Sequence, residues 1–219
     1  MQRHMFFFVF LCLLSVMIDG CAFHGEQSES PKESGGTTLA SQDKMMAMLI
    51  QQLGDAEVGV RINAADELGR MGERAKDAIP ALIKAMSDAQ WGVRLSAAMA
   101  FGDIGESAQT AIPALEKALQ DENASVRSGA AWALGRIGKP AQASMRALEK
   151  ALHDESPATR FNAAYALGKM GEAAREVVPA LIQALSDTDE QVRHFAAEAL
   201  KQIGTPEAVT AVEEYQKKK

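Results

Sequence analysis

Between Val60 and Met71 the apolar residues recur at the spacing of one buried helix face. At about 100° of turn per residue, Val60, Ala64, Leu68 and Met71 fall on a single stripe, the core side. Ala65 and Gly69 fall beside that stripe and are small enough to let a neighbouring element come close. Ile62, Asp66 and Arg70 fall on the far side. The pattern predicts a helix over 58–71. A second apolar pattern, "ERAKDAIPALIKAM" at 73–86, predicts a second helix. Pro80 lies inside it and lacks the N–H that a helix interior needs, so a short first turn and a break near the proline are expected.

This pair of elements recurs along the chain. Asp55, Asp88, Asp121, Asp154 and Asp187 open successive units at a constant step of 33 residues. Arg61, Arg94, Arg127, Arg160 and Arg193 keep the same step, as do an Ala-Ala pair and a glycine column at Gly72, Gly105, Gly138, Gly171 and Gly204. Ser156-Pro157 reads as an N-cap followed by N1, with Asn123 and Asp189 as capping residues elsewhere. The glycine column reads as the residue that ends each first helix. Pro80 recurs as Pro113 and Pro179, with Arg146 in its place in the third unit. The ends differ. "MMAMLIQQL" at 45–53 matches a second helix alone, a half-unit cap. After Thr205-Pro206 a last helix is expected, with Val209 and Val212 matching Val178 and Leu181 two residues short of a full step.

The consensus D-x5-R-x2-AA-x-ALG-x-[IM]-G, followed by A-[IV]-P-AL-x-x-AL, resembles the HEAT-like repeats of phycobilin lyases. The resemblance spans about 45–219. It implies an all-α fold, a right-handed α-solenoid of about five 33-residue helix pairs with a half-unit N-terminal cap, placed at 42–219. It does not imply one activity, because such repeats serve lyase subunits, adaptors and plain binding scaffolds alike.

The apolar content, 47% of residues with only 5% aromatic, rests largely on alanine, which suits closely packed helices. A net charge of −6 leaves no basic footprint for phosphates, so nucleic acid is not an expected partner. The four histidines are scattered; His153 and His194 lie in different units with no paired Cys or His at ligand spacing. Neither a phosphate-cradling glycine pattern nor a nucleophile elbow occurs. No metal, cofactor or catalytic residue is expected. The Asp and Arg columns repeat in every unit, which marks them as loop caps and an inter-unit ion-pair ladder.

The N-terminus reads differently. Arg3 and His4 precede an apolar run, Met5 to Ile18, that suits a signal-peptide core and is short for a membrane span of about 20 residues. "IDGC", Ile18 to Cys21, resembles the lipobox of bacterial lipoproteins, although Asp19 departs from it. The resemblance implies a signal peptide at 1–20 and a lipid on Cys21. With Ala22 next, it also implies outer-membrane sorting in the bacterial envelope, facing the periplasm. Cys12 would be removed, leaving Cys21 as the lone cysteine. Residues 21–41, rich in Ser, Gly, Glu and Thr, read as a flexible tether.

The far-side columns of the first helices vary from unit to unit, so stacking does not dictate them. They bring Leu95, Met99, Trp132, Phe161 and Tyr165 onto three consecutive units, an expected outward apolar strip about 20 Å long. Asp66, Arg70, Asp103, Arg136, Lys169, His194 and Glu198 would frame it. An apolar centre with a charged rim suits a protein or peptide partner, with Trp132 and Tyr165 as anchors. The expected function is a non-enzymatic, membrane-tethered binding scaffold. The alternatives are a bilin-lyase-like enzyme or subunit and a self-associating envelope protein.

Overall fold

The structure, a computed structural model, describes residues 35–217, with side chains from Ser41. The signal segment, Cys21 and most of the tether lie outside the described residues. Gly36–Lys219 forms one compact unit. Among the described residues every regular element is helical, and no helix is long and apolar enough to cross a membrane.

Helix α1 (Gly35–Gln52) starts inside the stretch expected to be tether. Its Leu49 and Leu53 are buried in the common core, as a half-unit cap requires. Five first helices follow: α2 (Val58–Arg70), α4 (Trp91–Ile104), α6 (Ala124–Ile137), α8 (Pro157–Lys169) and α10 (Glu190–Ile203). Short second helices alternate with them: α3 (Ile79–Ala85), α5 (Ile112–Ala118), α7 (Met145–Ala151) and α9 (Val178–Ala184). Helix α11 (Pro206–Lys217) ends the described chain.

The expected break at the proline takes a definite form. Gly72–Ala78 is a 3-10 helix, and α3 begins at Ile79 with Pro80 at its start. There the missing N–H is one that the first turn would leave unpaired anyway. Pro113 and Pro179 stand at the same place in α5 and α9. In the third unit Arg146 replaces the proline, and Pro140 instead opens the 3-10 stretch Lys139–Ser144. The column glycines all have positive φ, from 59° at Gly72 to 75° at Gly138, a backbone state that side chains with a Cβ resist.

Capping is partly as the sequence suggests. Asn123 accepts from the Ser125 N–H and Asp189 from the Gln191 and Val192 N–H groups. Ser156 stands at the N-cap, but its hydroxyl makes no cap bond; the Asp154 carboxylate accepts from the Ser156 N–H instead. At the C-terminal end Val212 is buried like Leu181, whereas Val209 is 44% exposed and Ala208 takes the inward position.

The stack is asymmetric. Each first helix packs along the next, α2 on α4, α4 on α6, α6 on α8 and α8 on α10. The second helices meet one another only sparsely and touch mainly through the 3-10 stretches. A stack whose units lie closer on one face than on the other curves toward the close face. The first-helix surface is therefore the inner side. On the outer side the wider spacing leaves a shallow groove of about 1120 Å³ between α3, α5 and α7.

The Arg and Asp columns form the expected ladder. Arg61 Nε donates to Asp88 at 2.7 Å, and the same fork joins Arg94 to Asp121, Arg127 to Asp154 and Arg160 to Asp187. Each arginine also donates to two carbonyls of its own inter-helix loop, such as Asp88 and Ala89 for Arg94. Each paired aspartate accepts a backbone N–H two residues on, as Asp121 does from Asn123. One rung therefore fixes a loop, the helix after it and the following unit.

Candidate functional site

The first-helix surface is built from side chains that cross between units. Ile62 reaches forward, so that a Cβ placed on Gly92 of the next unit would lie 3.0 Å from its Cδ1. Leu95 does the same over Gly129, at 2.7 Å. Trp132 and Tyr165 reach backward. The Trp132 ring lies over Gly102, where any Cβ would collide with it, and Tyr165 lies over Gly135. The columns expected to point away from the core thus fill the seams between first helices.

This changes the strip. Leu95, Met99, Trp132, Phe161 and Tyr165 are all half-buried rather than projecting freely. Leu95, Trp132 and Phe161 pack against the core. Trp132 is accommodated among small residues because Gly102 leaves room for its ring. Its outer side is not bare either. The Arg136 guanidinium sits 5.7 Å from the ring centroid, and Arg136 Nε donates to the Gly102 carbonyl at 3.3 Å. Lys169 Nζ lies 5.3 Å from the Tyr165 ring. Both are cation–π contacts between residues one turn apart.

The continuous strip also divides in two. Leu95, Met99 and Trp132 line an open depression of about 360 Å³ with Ser125, Ser128, Ala158 and Asn162, across α4, α6 and α8. Phe161 and Tyr165 belong to a separate aromatic cluster. Phe161 stacks on Phe195 at 5.5 Å, with Tyr165 and His194 edge-on to Phe195 at 6.2 and 5.4 Å. The Asn162 amide donates to the Ser128 hydroxyl at 2.9 Å, a polar link between α8 and α6.

The rim residues fall into two kinds. At the ends, Arg70 pairs with Glu67 of its own helix, and Glu198 accepts from Lys201 at 2.6 Å. The hydrogen bond from Lys201 holds the Glu198 carboxyl below its ordinary range. In the middle, Asp66, Asp103, Arg136 and Lys169 make no direct ion pair among the described residues. Burial raises the Asp103 carboxyl; Arg136 pulls it back down, and Asp66 raises it again.

Two residues belong here that the helical wheel did not single out. Phe195 organises the aromatic cluster. Trp91, 49% exposed at the start of α4, is the more open of the two tryptophans. Its column, Val58, Trp91, Ala124, Pro157 and Glu190, varies as freely as the outward ones, and that variation is the signal that could have found it. Among the described residues no group of His, Cys, Asp or Glu could hold a metal ion.

Because Trp132 fills a seam, Trp132→Ala is expected to cost stability. The loss should be about 1–2 kcal/mol, less than for a fully enclosed aromatic because the ring keeps an open edge. Thermal unfolding followed by circular dichroism measures it; an unchanged midpoint would return the ring to a purely surface role.

Comparison with known proteins agrees with this architecture. The chain is similar to the phycocyanin lyase complex of CpcE and CpcF from Nostoc sp. PCC7120, with 22% identity and a TM-score of 0.65 over 84% of this chain and 70% of that one. It is similar to a designed armadillo repeat protein, with 22% identity and a TM-score of 0.62 over 78% and 87%. It is also similar to a computationally designed armadillo repeat protein for modular peptide recognition, with 24% identity and a TM-score of 0.58 over 78% and 88%. At these identities the likeness is one of fold. No curated protein matches the chain. The HEAT-repeat family model matches residues 46–123, 107–145 and 145–219, nearly the whole helical stack, and the chain belongs to the HEAT-repeat family.

Proposed function

We propose that the protein is a non-enzymatic scaffold that holds a protein or peptide partner on its inner, first-helix surface while a lipid on Cys21 tethers it to the bacterial envelope. The observation that carries the reading is the depression lined by Leu95, Met99 and Trp132. It lies on the inner face, and its lining comes from columns that change in every unit while the stacking columns barely change. The peptide recognition named for one designed neighbour fits the same use of such a surface. The lipobox-like "IDGC" supports the tether. The aromatic cluster at Phe161, Tyr165 and Phe195 extends the surface toward α10.

The test blocks the depression without touching the seams. Ser125 is exposed and Ala158 half-buried, and both line it. Ser125→Arg with Ala158→Arg is expected to leave the unfolding midpoint within a degree or two, as surface substitutions do. It should abolish partner recovery in an affinity capture from the envelope fraction. Equal recovery by wild type and blocked protein refutes the site. In the same preparation Cys21→Ala should move the protein out of the membrane pellet; retention there would refute the lipid anchor.

A further inference from the structure

The first-helix surface beside the depression carries four charges, Asp66, Asp103, Arg136 and Lys169, that form no direct ion pair among the described residues. Asp103 on α4 feels the attraction of Arg136 and, less strongly, the repulsion of Asp66 on α2, but neither aspartate makes a direct ion pair among the described residues. Arg136 on α6 and Lys169 on α8 likewise make no direct ion pair among the described residues, and they rest on Trp132 and Tyr165. At the two ends of this same surface the charges are paired, Arg70 with Glu67 and Lys201 with Glu198. The four charges between them have an order: negative over α2 and α4, positive over α6 and α8. The apolar side chains that line the depression stand one turn from them, Met99 before Asp103 and Trp132 before Arg136.

Resting on the reading of the depression as a docking site, we propose that its occupant is an extended peptide segment with an ordered charge pattern. A basic side chain lies over Asp66 and Asp103, an apolar side chain enters the depression, and an acidic side chain lies over Arg136 and Lys169. Neighbouring first helices are about 8–10 Å apart, and an extended chain advances about 3.3 Å per residue. The three side chains are thus about three residues apart along the partner. Charge complementarity sets the choice of partner, and the apolar side chain supplies the anchor. A segment carrying one sign throughout meets like charge at one end, which penalises it more than a missing charge does.

Fluorescence anisotropy with four labelled peptides in a Gly/Ser background tests the pattern. They carry Lys-Leu-Glu, Lys-Leu-Lys, Glu-Leu-Glu, or Lys-Ser-Glu at three-residue spacing. Wild-type protein at low salt is expected to bind Lys-Leu-Glu at least about fivefold more tightly than either single-sign peptide, and the gap should close in 1 M salt. Asp103→Lys should move the preference to Glu-Leu-Glu, and Lys169→Glu should move it to Lys-Leu-Lys. Both residues are exposed, and circular dichroism melts confirm that the variants fold. Equal binding of the three leucine peptides, a preference unmoved by Asp103→Lys, or no binding of any peptide at millimolar concentration overturns the proposal. The Lys-Ser-Glu peptide examines the docking reading separately. If it binds as well as Lys-Leu-Glu, the depression is not an anchor site, whatever the charge order.

Discussion

Gly168→Ala is expected to destabilise the protein by about 2–3 kcal/mol, whereas Gly69→Ala, at the equivalent position of the first unit, is expected to be close to neutral. Both glycines lie in the last turn of a first helix, where alanine by itself would gain at most about 1 kcal/mol of helix propensity. The difference is what a Cβ would meet. At Gly168 it would lie 2.8 Å from the Ala199 Cα, a backbone atom that cannot swing away. Helices α8 and α10 would have to part, and every seam contact beside them would loosen. At Gly135 the same Cβ lies 2.9 Å from the Ala166 Cα, so a similar loss is expected there. At Gly69 the nearest backbone atom, the Ala100 Cα, is 3.1 Å away, so a shift of a few tenths of an ångström suffices. Gly102 is a third case: the atoms nearest its Cβ all belong to the Trp132 ring. Gly102→Ala should displace the ring rather than the helix, which a red shift in tryptophan emission would report. Chemical denaturation of the four variants gives the order; a Gly168→Ala midpoint equal to that of Gly69→Ala would mean that α8 and α10 do not pack as closely as the structure has them.

Most of the fold was legible because the repeat writes each stacking contact five times. The column glycines, the Ala-Ala pairs and the prolines that open three of the second helices all sit where the 33-residue step put them. Even the small residue at Gly69 was readable as a place of close approach. The last unit shows the rule from the other side: Lys201 replaces that glycine, and it is exposed, with no further first helix packed against it among the described residues. The direction of Trp132 was not legible in the same way. A wheel drawn for one helix has a single inward direction. A first helix inside this stack packs against the second helix of the preceding unit and the first helices before and after it. Side chains of the 62 and 66 columns therefore leave one helix only to lie on another. Whether they do so depends on a glycine 30 residues earlier, at Gly102 for Trp132 and Gly135 for Tyr165, or 34 residues later, at Gly129 for Leu95. That signal is present in the sequence but appears only when columns of different units are read against each other. The split of the strip was beyond reach for a related reason, since the bond from Asn162 to Ser128 joins two variable columns.

The ladder gives the largest expected effect. Arg94→Ala should cost about 3–5 kcal/mol, because it strands Asp121 in a setting where the pair's side chains are only 10% and 13% exposed. It also frees the Asp88 and Ala89 carbonyls that Arg94 caps. Arg94→Lys should recover little, since an ammonium cannot make the two-pronged bond and reach both carbonyls at once. Arg193→Ala is the internal control. Its guanidinium donates to the Asp187 and Thr188 carbonyls, with no carboxylate of a following unit among the described residues, so a loss of about 1 kcal/mol is expected. The same rungs set the acid limit. Burial works against the ionised form of Asp88, Asp121 and Asp154, but the arginine and backbone N–H bonds outweigh it and hold each carboxyl below its ordinary value; at Asp187 the Arg160 bond is itself the leading cause. For groups depressed in the folded state, the stabilisation is complete above the unfolded value of about 3.9 and is lost as pH falls through the lower folded values. Asp103, raised by burial, acts in the opposite sense and gains stability on protonation. Denaturation midpoints should therefore stay level from neutral pH to about 5 and fall steeply below about 4. The acid-dependent fall should be smaller in Arg94→Ala, which has already lost one rung. An Arg94→Ala protein whose acid profile runs parallel to wild type would show that the rungs are not what acid breaks.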